Sequence, residues 1–234
     1  MSVVYVPKHK YTWKRDHLDR RDCKYSIAKP QTYPPRIDLR TQYEEIYNQG
    51  NLGSCTANAI AMAFNFEDVK QSQSALNPSR LFIYYNERAL EGTLDQDAGA
   101  EIRDGIKCCA SQGVCPETMW PYSDDNHTFT VRPSSDCYNA AKSHVVKKYM
   151  KLDNTKINQL KDCLASGYPF VCGIAVYQSF ESDVVAKTGM VPMPKDDEQL
   201  LGGHAVICLG YDDLLYGGCF IMRNSWGANW GDKG

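Results

Sequence analysis

The hydrophobic pattern of this chain changes period partway along it, and that change restricts the fold more than any other feature. After a polar, glycine-containing run from Thr41 to Ser54, apolar residues at Ile60, Ala63, Phe64 and Val69 predict a helix whose first turn contains Cys55. Asn77-Pro78 offers a capping side chain and a proline at the first position of a second helix, which carries Leu81, Phe82, Tyr84 and Tyr85. A third helix is predicted from about Ala100 to Gln112, with Gly113 as its stop. Beyond Trp120-Pro121-Tyr122 the helical spacing gives way to short apolar runs, Phe170 to Tyr177, His204 to Tyr211 and Cys219 to Arg223, bounded by Gly, Pro or Asp as buried strands are. One amphipathic helix through Ile157, Leu160, Cys163 and Leu164, ending at Gly167, interrupts this second half. The expectation is an α+β chain in two parts, residues 35–140 mainly helical and 141–234 mainly β, with no internal repeat.

Residues 1–35 read differently. They are rich in basic and polar residues and finish in Lys29-Pro30-Gln31-Thr32-Tyr33-Pro34-Pro35, the pattern of an extension followed by a stiff linker. The start lacks the apolar core of a signal peptide, and no stretch approaches the roughly 18 apolar residues of a membrane span, so an intracellular (cytoplasmic) or virion-associated location is expected. Ten cysteines fit a disulfide framework in an exported protein and free thiols in a reducing compartment. A formal net charge of -2 with mixed-sign residues gives no electrostatic reason to expect nucleic acid or membrane as partner, and a monomer is the default.

Four residues carry chemistry. Cys55 follows Gly53 and Ser54 at a loop-to-helix junction, where unpaired backbone N–H groups and the helix dipole favour a thiolate nucleophile. Gln49 lies in the same glycine-bearing loop, where its side-chain amide and the backbone N–H of Cys55 make two donors for an oxyanion. His204, after Gly202-Gly203, opens a predicted strand and has the near-neutral pKa that acid–base work on a thiol needs. Asn224 ends another strand, placed to hold the other ring nitrogen of His204, with Trp226 to shield that bond from water.

Together these residues resemble the papain and cathepsin family of cysteine proteases, and the resemblance runs from Pro35 to Gly234. Pro35-Arg36-Ile37-Asp38-Leu39-Arg40 is similar to the family's mature amino terminus, Gly113-Val114-Cys115-Pro116-Glu117 with Trp120-Pro121-Tyr122 to its mid-chain turn, and Asn224-Ser225-Trp226-Gly227-Ala228-Asn229-Trp230-Gly231 to its most specific motif. The resemblance implies a two-domain fold, a helical half and a β-barrel-like half with the cleft between them. It implies Cys55, His204 and Asn224 as catalytic residues, Gln49 in the oxyanion hole, and Gly99 and Gly203 lining the substrate cleft. Leu52 and Thr56 stand where the family usually has a cysteine and an aromatic, which is more similar to signal-less microbial or viral members. An endopeptidase acting on peptides or proteins is expected, with no cofactor and no metal. The chain given ends ten residues after Asn224, where the resemblance implies a further strand and residues of the specificity pocket.

Family proteases are commonly made as precursors, so residues 1–34 are expected to lie along the cleft as a short inhibitory propeptide, with Cys23 capping Cys55 through a mixed disulfide or standing as a free thiol. Cys108, Cys109, Cys115 and Cys137 fit structural roles, one or two disulfides or a metal site of no strong zinc spacing; Cys163, Cys172, Cys208 and Cys219 read as buried thiols. Two other readings stay open: a catalytically silent protein on the same scaffold, and a thiol acyltransferase or transglutaminase.

Overall fold

The structure, a computed structural model, describes residues 5–27, 32–71, 76–125 and 127–234. In chain order the elements are β1 (Arg36–Asp38), α1 (Cys55–Lys70), α2 (Arg80–Glu91), α3 (Ile102–Ser111), α4 (Ser135–Ala141), α5 (Ile157–Ala165), β2 (Phe170–Tyr177), α6 (Asp183–Thr188), β3 (Leu200–Asp212) and β4 (Cys219–Arg223). The fold is α+β, as the change of period implies.

The 13-residue strand β3 organises the sheet. It pairs antiparallel with β2 from Phe170↔Cys208 to Tyr177↔Leu200, with β1 at Ile37↔Tyr211, and with β4 at Cys208↔Met222. Among the described residues β1, β2 and β4 pair only with β3, so the sheet stays open instead of closing into the expected barrel-like half. Three strands strung on one central strand leave no two outer strands to meet.

Helix α1 packs on β3, α2 and α3. Every residue from Cys55 to Met62 is buried, and the alanines at 57, 59 and 61 let neighbouring elements approach it from all sides. A helix buried all round holds its first turn rigidly, which fixes Cys55.

Three local expectations shift. Helix α2 is capped by Ser79, whose Oγ accepts from the Phe82 N–H, while Asn77 sits at φ 49° and accepts from the Tyr47 hydroxyl. Helices α4 and α6 have seven and six residues, too short for a helical period to register, and only their serine caps, Ser134 and Ser182, mark them. All ten cysteines are free thiols, so the disulfides entertained for Cys108, Cys109, Cys115 and Cys137 are not formed. Of the expected linker, residues 29–31 lie outside the described residues. No described helix is long and apolar enough to cross a membrane.

Candidate active site

Cys55 opens α1. The preceding Ser54 does not cap the helix, because its hydroxyl is engaged with the Tyr122 hydroxyl at 2.6 Å and accepts from Asn58 Nδ2 at 3.0 Å. The N–H groups of Cys55 and Thr56 are left to face the Cys55 sulfur, joined there by the N–H of Ala205 from β3. Ala205 follows His204, so α1 and β3 bring the two sequence-predicted residues to the same spot.

His204 Nε2 lies 2.7 Å from Asn224 Oδ1, and that oxygen also accepts the Ser225 N–H at 2.8 Å. An amide oxygen only accepts, so the His204 proton sits on Nε2 and Nδ1 is a bare acceptor without a hydrogen-bond partner among the described residues. The Trp226 ring lies 5.1 Å from the imidazole, centroid to centroid, and is itself enclosed by Phe180 and Trp230. That aromatic cover keeps water from the His204–Asn224 bond.

Gln49 is tied to the same segment: its N–H donates to Ser225 O, and its Oε1 accepts from Ser225 Oγ at 2.6 Å. Its Nε2 donates one hydrogen to Leu52 O at 2.9 Å, leaving the second N–H for another acceptor.

Residues 8–14 of the extension run across this assembly. Thr12 bridges Gly203 in parallel and its hydroxyl donates to Gly53 O at 2.8 Å, Trp13 N–H donates to Gly203 O, and Lys14 N–H donates to Ala100 O. Gly99, at φ +64°, is where the chain needs glycine, because a Cβ there would stand 2.1 Å from Thr12 O. The Trp13 indole packs against Cys55, Ala59, Ile102 and Ala205, beside Ile106 and Val171. On the other side of the imidazole, Tyr11 meets His204 edge-on and His9 stacks on Trp226 with centroids 3.9 Å apart. The Glu181 carboxylate then takes the N–H groups of Lys8 and His9 and the Tyr11 hydroxyl.

Cys23 is elsewhere. Its stretch pairs with Lys151, near the Asp22–Arg103 ion pair of 2.7 Å, and its thiol is free and exposed while Cys55 is free and buried. The residues over Cys55 are Thr12 and Trp13, so the disulfide cap expected of Cys23 is not what covers it.

Covering the site changes its protonation. Burial pushes the Cys55 thiol up to about 12, helped by the Glu87 carboxylate and opposed by the three N–H groups. Burial takes His204 down to about 4, opposed by its bond to Asn224 and helped by His9. The covered site therefore holds a neutral thiol and a neutral imidazole, where the helix N-terminus alone led to the expectation of a thiolate. Excluded water is the reason. Glu87, buried beneath and holding the Thr56 hydroxyl, is pushed up to about 8 by burial and is uncharged at neutral pH.

Reading the sequence for its catalytic types missed Tyr11, Trp13 and Glu181. The Tyr11-Thr12-Trp13 triplet was the available signal, an aromatic pair in an otherwise charged stretch. Nothing local marks Glu181.

Comparisons with known proteins give the family and the fold. A family model described as papain family cysteine protease matches residues 33–234. An uncharacterized peptidase C1-like protein of Acanthamoeba polyphaga mimivirus is 48% identical over 195 residues, covering 80% of this chain and 61% of that protein. Peptidase 1 of Euroglyphus maynei is 27% identical over 210 residues, covering 86% of this chain and 59% of that protein. The chain thus spans about three fifths of the length of the curated relatives it matches. Among solved structures, xylellain, a cysteine protease from Xylella fastidiosa, superposes with a TM-score of 0.87 at 40% identity, covering 99% of this chain and 91% of that one. Digestive procathepsin L 3 of Tenebrio molitor larval midgut shares the fold at a TM-score of 0.66 and 17% identity, over 92% of this chain and 67% of that one.

Proposed function

Since this chain belongs to the papain family of cysteine proteases, we propose that it hydrolyses peptide bonds, with Cys55 as nucleophile, His204 as base and then acid, Asn224 orienting the imidazole, and Gln49 with the Cys55 N–H holding the oxyanion. The observation that carries this reading is the convergence at one point of the α1 N-terminus, the bare Nδ1 of His204 and the Asn224 oxygen that sets its tautomer.

In this reading the Cys55 proton passes to His204 Nδ1, and the sulfur attacks the scissile carbonyl. The oxygen, now negative, is held by the second Gln49 N–H and the Cys55 N–H. As the C–N bond breaks, His204 returns its proton to the leaving amine. Water, deprotonated by His204, then releases the acyl group and restores the thiol. No cofactor enters any step, and the peptide or protein substrate is cut as by an endopeptidase. The division into a helical part (35–140) and a β part (141–234), a monomeric state and an intracellular or virion-associated site of action belong to the same reading; the viral relative supports the last.

The extension acts as an inhibitor in this scheme. Because His204 must reach the leaving amine, the carboxyl-side half of a substrate lies toward His204 and Trp226, and its acyl half toward Gly99 and Gly203. The extension has its earlier residues, His9 and Tyr11, on the leaving side and Trp13 and Lys14 on the acyl side. It therefore runs opposite to a substrate, which supports occupation without cleavage.

The test is hydrolysis of a mixed fluorogenic peptide library by the full chain under reductant, beside Cys55→Ala. Cleavage that disappears in Cys55→Ala is expected. Cleavage that survives it, or amide formation outrunning hydrolysis when an amine is supplied, would replace this function with another.

A further inference from the structure

Glu181 is buried to 5% exposure just beyond Trp226, yet among the described residues every hydrogen bond to its carboxylate comes from the extension. The donors are the N–H groups of Lys8 and His9 and the hydroxyl of Tyr11, with Tyr5 contributing as well. The described residues of the body supply none. When the extension leaves, the carboxylate loses these partners and much of its cover together, because the same residues supply both, and it is left as an anion facing the cleft. A peptide that replaces the extension meets that anion and must supply the donor or the positive charge that covers it again.

The surroundings decide which donor suits it best. A groove of about 590 Å³ runs on from Glu181 and is lined by Asp183, Asp197 and Glu198, with Lys195 as the one cation contributed by the body and Lys8 as the one contributed by the extension. The Lys8 ammonium already sits there, 3.0 Å from the Glu181 carbonyl oxygen and 3.8 Å from the Asp183 carboxylate. With the extension gone, four carboxylates face one lysine.

We propose that Glu181, with Asp183 beside it, forms a subsite on the leaving-group side of the cleft that binds a lysine or arginine side chain of the substrate. The position follows from the extension. Thr12 lies over the Cys55 loop and Lys8 is four residues away, so the basic residue stands two to four residues after the scissile bond. Lys8 is a stand-in for it. This inference rests on the protease reading above, and it adds a preference for the charge of the segment that is released.

The test uses internally quenched peptides of one sequence, with Lys, Ala or Glu in turn at each of the second, third and fourth residues after the scissile bond. The full chain under reductant cleaves them, and kcat/KM is compared within each set. Such ratios do not depend on how many molecules have an open cleft. At one of these positions Lys is expected to exceed Glu by about tenfold or more, given the cost of opposing like charges at a desolvated site. The ratio should approach one in Glu181→Gln, fall partway in Asp183→Asn, and shrink with added salt in its exposed part.

Cleavage with equal rates for Lys, Ala and Glu at all three positions overturns the subsite while leaving the protease intact, because Glu181 is then satisfied by backbone N–H groups or water. An undiminished Lys preference in Glu181→Gln also overturns it. Cleavage of none of the peptides either by the full chain or by Trp13→Ala, in which the main apolar anchor of the extension is removed, removes the protease reading and this inference together.

Discussion

Trp13 lies so close to Gly173 that a Cβ at position 173 would stand 2.1 Å from two carbons of the indole ring. The bare backbone of β2 at that point is what lets an aromatic side chain of the extension pack against Cys55 and Ala205. Trp13 is thus the extension's main apolar anchor. Removing it in Trp13→Ala gives up about 2 kcal/mol of burial, which corresponds to roughly a 30-fold larger open fraction. Hydrolysis of a short fluorogenic peptide by the full chain should rise accordingly under reductant. An unchanged rate would mean that Trp13 does not hold the cleft shut.

Acid should loosen the same contact. Burial raises Glu181, but the hydrogen bonds from Tyr11, Lys8, Tyr5 and His9 outweigh it and hold its carboxyl below the ordinary 4.5. Docking strength from that carboxylate is present above 4.5 and lost as pH falls through the lowered value. His204, taken to about 4 mainly by burial, and His9, lowered by burial on Trp226, are both neutral when covered. Once uncovered each takes up a proton near its ordinary 6.5, so docking also weakens as pH falls below that value. Cys55 acts on the other flank: burial holds its covered thiol protonated up to about 12, whereas uncovered at the helix N-terminus it ionises more readily, so covering weakens as pH rises. Protection of Cys55 from alkylation after brief incubation at each pH should therefore fall on acidification below about 6.5 and fall again in alkali. Glu181→Gln should flatten the lowest part of that fall.

The ten thiols should differ sharply in reactivity. Cys23 is exposed, whereas Cys55 is fully buried and its proton is held far above neutral pH. Iodoacetamide at pH 7.5, followed by peptide mapping, is expected to label Cys23 first and Cys55 only when the extension has moved. A non-reducing digest should contain no peptide joining Cys23 to Cys55. Early labelling of Cys55 would contradict the cover that Thr12 and Trp13 provide.

Asn224→Ala removes the oxygen that accepts from His204 Nε2 and from the Ser225 N–H. A buried donor is left without a partner, and the ring loses the bond that fixes its tautomer. The loss of such a bond costs about 1–3 kcal/mol, or roughly 10- to 100-fold in kcat, with KM little altered because no substrate contact is removed. A loss confined to KM would assign Asn224 to substrate binding instead.

The parts of this protein legible in the sequence were those written in local patterns. Helical spacing marked α1, spacing with a glycine stop marked α3 and α5, and the bounded apolar runs marked β2 and β4 at the residues where they lie. Cys55 and Asn224 were legible because each sits at the end of an element, whereas Gln49 lies in the loop before α1 and His204, expected to open its strand, lies inside β3 because the strand begins earlier, at Leu200. Short helices such as α4 and α6 were not, since one or two turns carry no measurable period. Ser79 replaced Asn77 as the α2 cap because the Tyr47 hydroxyl already engages Asn77, a contact made by a residue 30 positions away.

Tertiary structure alone decided the rest. That Trp13 lies over Cys55, that Glu181 is held entirely by a segment more than 160 residues earlier, and that the thiol and the imidazole are both neutral all depend on which surfaces meet and exclude water. The residue types that can do thiol chemistry were determined by the sequence. Their charge state was set by burial, which is a property of the folded chain and of no stretch within it.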